Sequence, residues 1–170
     1  YAYDVLDRVE RVEYAGQVSG GGRPYEAYTF DALGRVDTHR DRNGATVTMH
    51  YDKLNRLTQR DFVASAYEHP VFTHEYFKYD GASRMVEARN DYSKVLMRHD
   101  STSNLLSESL EFLGGPAPAG PFEVSHTYDT LGRPTLTEYP GGRILDYAYI
   151  VYNQDLSQIL EDDENLVSYA

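Results

Sequence analysis

The side chains with chemistry to offer are six histidines (His39, His50, His69, His74, His99 and His126) and a larger stock of Asp, Glu, Arg and Ser. Cysteine is absent, which removes thiol catalysis, thiolate zinc sites and disulfide scaffolds together. Among the histidines, His69 and His74 alone are close in sequence, and they flank Pro70 in a loop-to-strand stretch, a poor frame for zinc. Ser125, His126 and Asp129 lie near one another, yet on a strand Ser125 and His126 point to opposite faces, so no nucleophile–base contact forms. Ser19–Gly22 is glycine-rich without the Lys-Ser/Thr of a phosphate loop. Glu161-Asp162-Asp163-Glu164 offers clustered oxygens but lacks calcium-loop spacing and its glycine, and reads as a solvated acidic turn. What remains is an Asp with an Arg four residues later, a plausible acid–base pair if it occurred once. It recurs along the chain, and an active site needs one asymmetric constellation. The repetition points to a turn device.

The recurring phrase is a large residue, Asp, two variable residues, a turn-tolerant residue, then usually Arg and an apolar residue. It reads Tyr3-Asp4-Val5-Leu6-Asp7-Arg8-Val9, Phe30-Asp31-Ala32-Leu33-Gly34-Arg35-Val36 and Tyr51-Asp52-Lys53-Leu54-Asn55-Arg56-Leu57. It continues as Tyr79-Asp80-Gly81-Ala82-Ser83-Arg84-Met85, a weaker His99-Asp100-Ser101-Thr102-Ser103-Asn104-Leu105, and Tyr128-Asp129-Thr130-Leu131-Gly132-Arg133-Pro134. A degraded seventh starts at Tyr152-Asn153. Spacings between the second positions are 27, 21, 28, 20, 29 and 24, so long and short units alternate and the period is a pair of hairpins.

Each copy reads as a hairpin tip. Asp4, Asp31, Asp52, Asp80, Asp100 and Asp129 can accept backbone N–H bonds from residues further on, as Asx-turns do. Gly34, Asn55 and Gly132 suit the positive φ of a type I turn closed by a bulge. Ser83 and Ser103 suit it less well, so these two tips are expected to differ in geometry, and Gly34→Val is expected to hurt more than Ser83→Val. Arg8, Arg35, Arg56, Arg84 and Arg133 follow within reach of an acidic neighbour. Head residues Tyr3, Phe30, Tyr51, Tyr79, His99, Tyr128 and Tyr152, with the large residues two before them, share one strand face. Stacked hairpins would pile them into an aromatic ladder, the main adhesive of the array.

At the opposite ends, short units turn through Asp41-Arg42-Asn43-Gly44, Asn90-Asp91-Tyr92-Ser93 and Pro140-Gly141-Gly142. Long units pass through Ser19–Pro24, Ala64–Pro70 and Gly114–Pro121, which would gather on one edge where binding concentrates. With 16 Tyr, 6 Phe and 13 Gly but no Trp, the composition suits many short strands and tight turns. Acidic residues number 27 against 16 basic, a net charge of −11, which repels phosphate backbones and excludes nucleic acid as a partner. No apolar run approaches the roughly 20 residues of a membrane-spanning helix, so membrane insertion is not expected.

This phrase, repeated in register with Tyr-Asp at its head, resembles the YD-repeat (Rhs-type) family over about residues 1–152. The resemblance implies spiralling sheets of β-hairpins. In bacterial toxins, insecticidal toxin complexes and teneurins such sheets close into hollow shells, around a toxic payload in the bacterial members. It also implies an extracellular or cell-surface protein. Seven repeats are too few to enclose a useful cavity, and the self-cleaving signature of the toxin members is not found in this sequence. The expectation is therefore an all-β, non-enzymatic array of about seven consecutive antiparallel β-hairpins, stacked into a continuous twisted or spiralling sheet. Residues 1–170 form one array segment of a larger polypeptide, with 153–170 its degenerate last repeat. It serves as shell wall or as a fibre or adhesin shaft, without cofactor or metal. Its partners are neighbouring repeats of the same or an identical chain, with an enclosed toxin domain or a surface glycan as further candidates. The alternative is a glycan- or protein-binding module acting through the long-loop edge.

Overall fold

The computed structural model describes residues 1–16, 23–63, 73–114, 121–150, 155–161 and 164–168. Among them there is no helix; the protein is all-β, with fifteen strands. The chain divides into two compact units. The first comprises Tyr1–Lys78 with Arg89–Asp91, the second Tyr79–Ala88 with Tyr92–Ala170. The first is built on β1 (Ala2–Tyr3), β2 (Val9–Glu13), β3 (Tyr25–Phe30), β4 (Val36–Arg40), β5 (Thr46–Tyr51), β6 (Leu57–Val63) and β7 (His74–Tyr79). The second is built on β8 (Met85–Asn90), β9 (Ser93–His99), β10 (Leu105–Phe112), β11 (Phe122–Tyr128), β12 (Pro134–Glu138), β13 (Ile144–Tyr149), β14 (Leu156–Glu161) and β15 (Glu164–Ser168).

Within each unit sheet order is chain order, and the paired strands are antiparallel neighbours in sequence. Strand alternation gives each sheet two unlike faces. In β3 to β5, one face carries Tyr28, Phe30, Val36, His39, Val47, Met49 and Tyr51; the other carries Thr29, Thr38, Thr48 and His50. No hydrophobic side chain among the described residues is fully buried, and the buried residues are polar, Ser107 and Thr137. Side chains here are shielded mainly by their neighbours in the plane, so the apolar face is for the most part half-buried, and Tyr3, Phe112 and Phe122 are exposed.

The register slips beside the heads at Ala2/Tyr3, Thr29/Phe30, His50/Tyr51, Thr127/Tyr128 and Ala148/Tyr149, and at Leu105/Ser107 across from His99. This bulge follows from the tip itself. Asp31 N–H donates to Arg35 O at 2.9 Å and Gly34 N–H to Asp31 O at 3.0 Å, the two bonds of a type I turn closed by a left-handed residue. The other five tips repeat that pair of bonds. The left-handed position is occupied by Asp7 (φ 59°), Gly34 (81°), Asn55 (63°), Ser83 (64°), Ser103 (74°) and Gly132 (77°).

Two expectations are thereby corrected. The Ser83 and Ser103 tips have the same geometry as the rest, because the two closing bonds demand a positive φ whatever residue stands there. Gly34 is therefore not alone in needing that conformation. The head of the seventh hairpin is Tyr149, paired with Leu156, whereas Tyr152 and Asn153 lie outside the described residues. Ile150 N–H donates to Asp155 O at 2.9 Å, so Ile150 takes the Asp place and stands 21 residues after Asp129, restoring the short spacing. The long connections Ser19–Gly22, Ala64–Pro70 and residues 115–120 fall outside the described residues.

Serine in the left-handed region costs roughly 1–2 kcal/mol, and glycine returns about 0.5–1 of that as backbone entropy. Ser83→Gly should thus stabilise the protein by roughly 0.5 kcal/mol in urea denaturation. A midpoint that drops would show that the serine hydroxyl outweighs the backbone strain.

Candidate functional site: the tips and the guanidinium column

At each tip the Asp carboxylate divides its two oxygens between two tasks. Asp31 Oδ1 accepts the N–H groups of Leu33 (2.9 Å) and Arg35 (3.0 Å), which closes the turn. Asp31 Oδ2 accepts from Arg35 Nε at 2.6 Å and lies 2.6 Å from Nη2, which holds the guanidinium. The same four bonds recur at Asp4/Arg8, Asp52/Arg56, Asp80/Arg84 and Asp129/Arg133. At Asp100 the place of Arg is taken by Asn104, whose Nδ2 donates to Oδ2 at 2.9 Å.

All six carboxylates titrate below the ordinary Asp value. At Asp4 and Asp80 the Arg side-chain hydrogen bond is the largest influence; at Asp52 and Asp129 it is the Arg backbone N–H. At Asp31 and Asp100 desolvation pushes upward first and the hydrogen bonds together overcome it, taking Asp100 down to about 2.

Held in this way, the guanidinium projects onto the next hairpin of its unit. Arg8 lies 4.1 Å over the Phe30 ring, Arg35 4.4 Å over Tyr51 and Arg133 4.3 Å over Tyr149. Arg35 Nη1 also donates to Asn55 Oδ1 at 2.8 Å, and Arg84 Nη1 to Asp100 O and to Ser103 Oγ at 3.3 Å. The tyrosine heads reach back: Tyr51 O–H donates to Val36 O, Tyr128 O–H to Leu105 O and Tyr149 O–H to Pro134 O, at 2.9, 2.9 and 2.7 Å. Tyr3 is 57% exposed. Tyr79 and His99 are half-buried.

The aromatic ladder therefore needs correction. At Phe30, Tyr51 and Tyr149 it is an arginine from the preceding tip that covers the head, and the column alternates cation with ring. Head rings on alternate strands stand two strand spacings apart, close to 10 Å, which leaves a gap that a guanidinium fills. Ring–ring stacking occurs instead across one strand pair, as between Tyr28 and His39 at 4.6 Å.

The opposite face carries a cluster that spacing alone does not reveal. His50 Nε2 lies 2.7 Å from Asp61 Oδ2, His74 Nε2 3.8 Å from Asp61 Oδ1, and His74 Nδ1 3.6 Å from Asp91 Oδ1. His50, Asp61 and His74 come from β5, β6 and β7, and Asp91, which follows β8, also belongs to the first unit, so residues far apart in sequence are joined by how the strands lie. Period-two alternation could have put His50 and His74 on the face away from the heads, but not beside Asp61. Among the described residues no group of His, Asp or Glu is placed to hold a metal ion. His69, Asp162 and Asp163 lie outside the described residues, and Glu161 pairs with Arg143. Ser125 and His126 occupy opposite faces, and His126 Nδ1 meets Thr137 Oγ1 at 3.0 Å.

No family model and no curated protein matches the sequence. Solved structures do match in fold. The chain superposes on the crystal structure of TcdB2-TccC3 with a TM-score of 0.66 at 16% identity, over 83% of its own length and 8% of that chain. A second crystal structure, TcdB2-TccC3-TEV, gives 0.66 at 15% identity, over 83% and 8%. The Photorhabdus luminescens Tc holotoxin pore, carrying a substitution in TccC3, gives 0.66 at 13% identity, over 85% and 8%. The chain thus spans less than a tenth of the length of the chains it resembles.

Because Arg35 is both forked onto Asp31 and laid on Tyr51, Arg35→Ala should cost about 1–2 kcal/mol, and Arg35→Lys should recover only a minor part of it. Full recovery by lysine in urea denaturation would show that charge alone suffices. The depressed carboxylate values also set a pH dependence. Their contribution is complete above the unfolded value, about 3.9, and is lost as pH falls through the folded ones. The urea midpoint should fall steeply below about pH 4, and Asp31→Asn should make that fall shallower. A midpoint flat between pH 4 and 2 would contradict this.

Proposed function

We propose that this chain is a structural, non-enzymatic length of wall in a large secreted or cell-surface protein of the YD-repeat kind, of the sort that encloses a toxin domain. The observation that carries the reading is the tip turn, written six times with one backbone geometry, its Asp–Arg pair at five of them, and the arginine–ring contacts that join hairpins at Phe30, Tyr51 and Tyr149. Repetition of that kind extends a surface and concentrates no reactive group at one place. The half-buried apolar face and the lack of a fully buried hydrophobic residue among the described residues suit a wall better than a self-contained globule. The fold shared with TcdB2-TccC3 over 83% of this chain but 8% of that one supports the same scale: a few hairpins out of many. Neighbouring repeats of the same or an identical chain would be its immediate partners.

Negative-stain electron microscopy of the full polypeptide that contains this segment tests the proposal. A hollow particle is the expected result. A rod of uniform width would instead make the segment the shaft of a fibre or adhesin.

A further inference from the structure

The fifth tip differs from the others in one respect. Its Arg place is held by Asn104, so the ring of Tyr128, head of the next hairpin, has no guanidinium over it among the described residues. Elsewhere the five tip arginines are well covered, with side chains between 22% and 30% exposed. Here an open groove of about 630 Å³ remains, lined among others by Asp100, Asn104, Tyr128, Asp129 and Gly132. The groove sits within the second unit.

The surroundings of the missing group are intact. Asp100 closes its turn as its counterparts do, with Oδ1 accepting the N–H groups of Thr102 (2.8 Å) and Asn104 (2.9 Å). Its Oδ2, which receives Nε and Nη2 elsewhere, receives only the neutral amide of Asn104. Among the described residues Asp100 is thus the tip carboxylate without an ion pair, and it remains ionised far below neutral pH. Tyr128 keeps its O–H on Leu105 O, as Tyr51 and Tyr149 do on their own preceding strands, so its ring lies in the same attitude. Asn104 does reach the neighbouring tip: its Oδ1 lies 3.6 Å from where a Cβ on Gly132 would stand, against 3.3 Å for Arg8 Nη1 and Gly34. The shorter side chain bridges the tips and brings no cation to the Tyr128 ring, beside which His126 lies tilted at 6.5 Å.

We infer that the groove between the fifth and sixth tips is a receptor for an arginine side chain presented by another polypeptide segment. The guanidinium would lie on the Tyr128 ring and donate to Asp100 Oδ2. The ligand class is read from the chain itself, which fills the equivalent place above Phe30, Tyr51 and Tyr149 with that same group. Lysine fits less well, since a point charge cannot fork onto the carboxylate while lying flat on the ring.

The test is an NMR titration of the chain with acetyl-Gly-Arg-Gly-amide and, separately, acetyl-Gly-Lys-Gly-amide. The arginine peptide should shift the Asn104 side-chain amide, the Gly132 N–H and the Tyr128 ring saturably, with a dissociation constant on the order of 1 mM, and the lysine peptide should bind several-fold more weakly. Asn104→Arg should abolish these shifts and raise the melting midpoint by roughly 2–4 °C, because the tethered group occupies the place first. Should that variant fail to fold, Tyr128→Leu, which keeps bulk and loses the ring, should weaken binding of the arginine peptide. No saturable shift, an equal response to lysine, or undiminished binding in a folded Asn104→Arg protein would overturn the inference.

Discussion

Among the described residues no buried hydrophobic core presses on the apolar face of the strands, and that shortage governs the structure. Hydrophobic burial, the largest stabilising term in most folds, acts here only sideways, between neighbours on the same surface. Cohesion must therefore run in the plane of the strands. Backbone pairing supplies part of it, and the guanidinium that bridges one hairpin to the next supplies the part that side chains can add. The arginine can do this because the Asp carboxylate holds it at two nitrogens. A free arginine would lose much of the gain to rotamer entropy, about 2 kcal/mol in full.

This division of labour makes the hairpin an incomplete unit. The second hairpin, for instance, contributes an arginine that covers, Arg35, and a ring that is covered, Phe30, and neither half is satisfied without a neighbour. Growth by repetition follows from that incompleteness, as in other arrays whose units bury their surface only against the next one. It also explains why the tip tolerates serine or aspartate where glycine would be more comfortable. The closing hydrogen bonds are shared by all six copies, and the ion pair by five of them, and together they outweigh the strain of one left-handed residue.

The opposite face follows a different logic. Thr29 and Thr38 exchange a hydroxyl hydrogen bond at 2.7 Å, and His50, Asp61 and His74 form a chain of polar contacts open to water. Two tyrosines depart from this: Tyr25, sandwiched between Arg11 at 3.7 Å and Arg40 at 4.0 Å, and Tyr76, stacked on His74 at 6.0 Å with Arg89 4.5 Å over its ring. Cation–ring packing thus serves both faces, with the Asp-held version confined to the tips.

The all-β class, the tips and their Asp anchors were legible in the residues because each depends on a stretch of seven, within which spacing and turn chemistry are fully local. Which group covers each head ring was not, since that is set by the distance between alternate strands and by how far an arginine reaches, neither of which a linear pattern contains. The seventh head was misplaced for the same reason. Tyr152 carries the familiar neighbour, but hydrogen-bond register assigns the position to Tyr149, whose partner Leu156 lies across an insertion. The pairing of His50 with Asp61, and the uncovered ring beside Asn104, likewise arise only when strands are laid side by side. Local chemistry shaped each hairpin, and the spacing between hairpins decided what every side chain met.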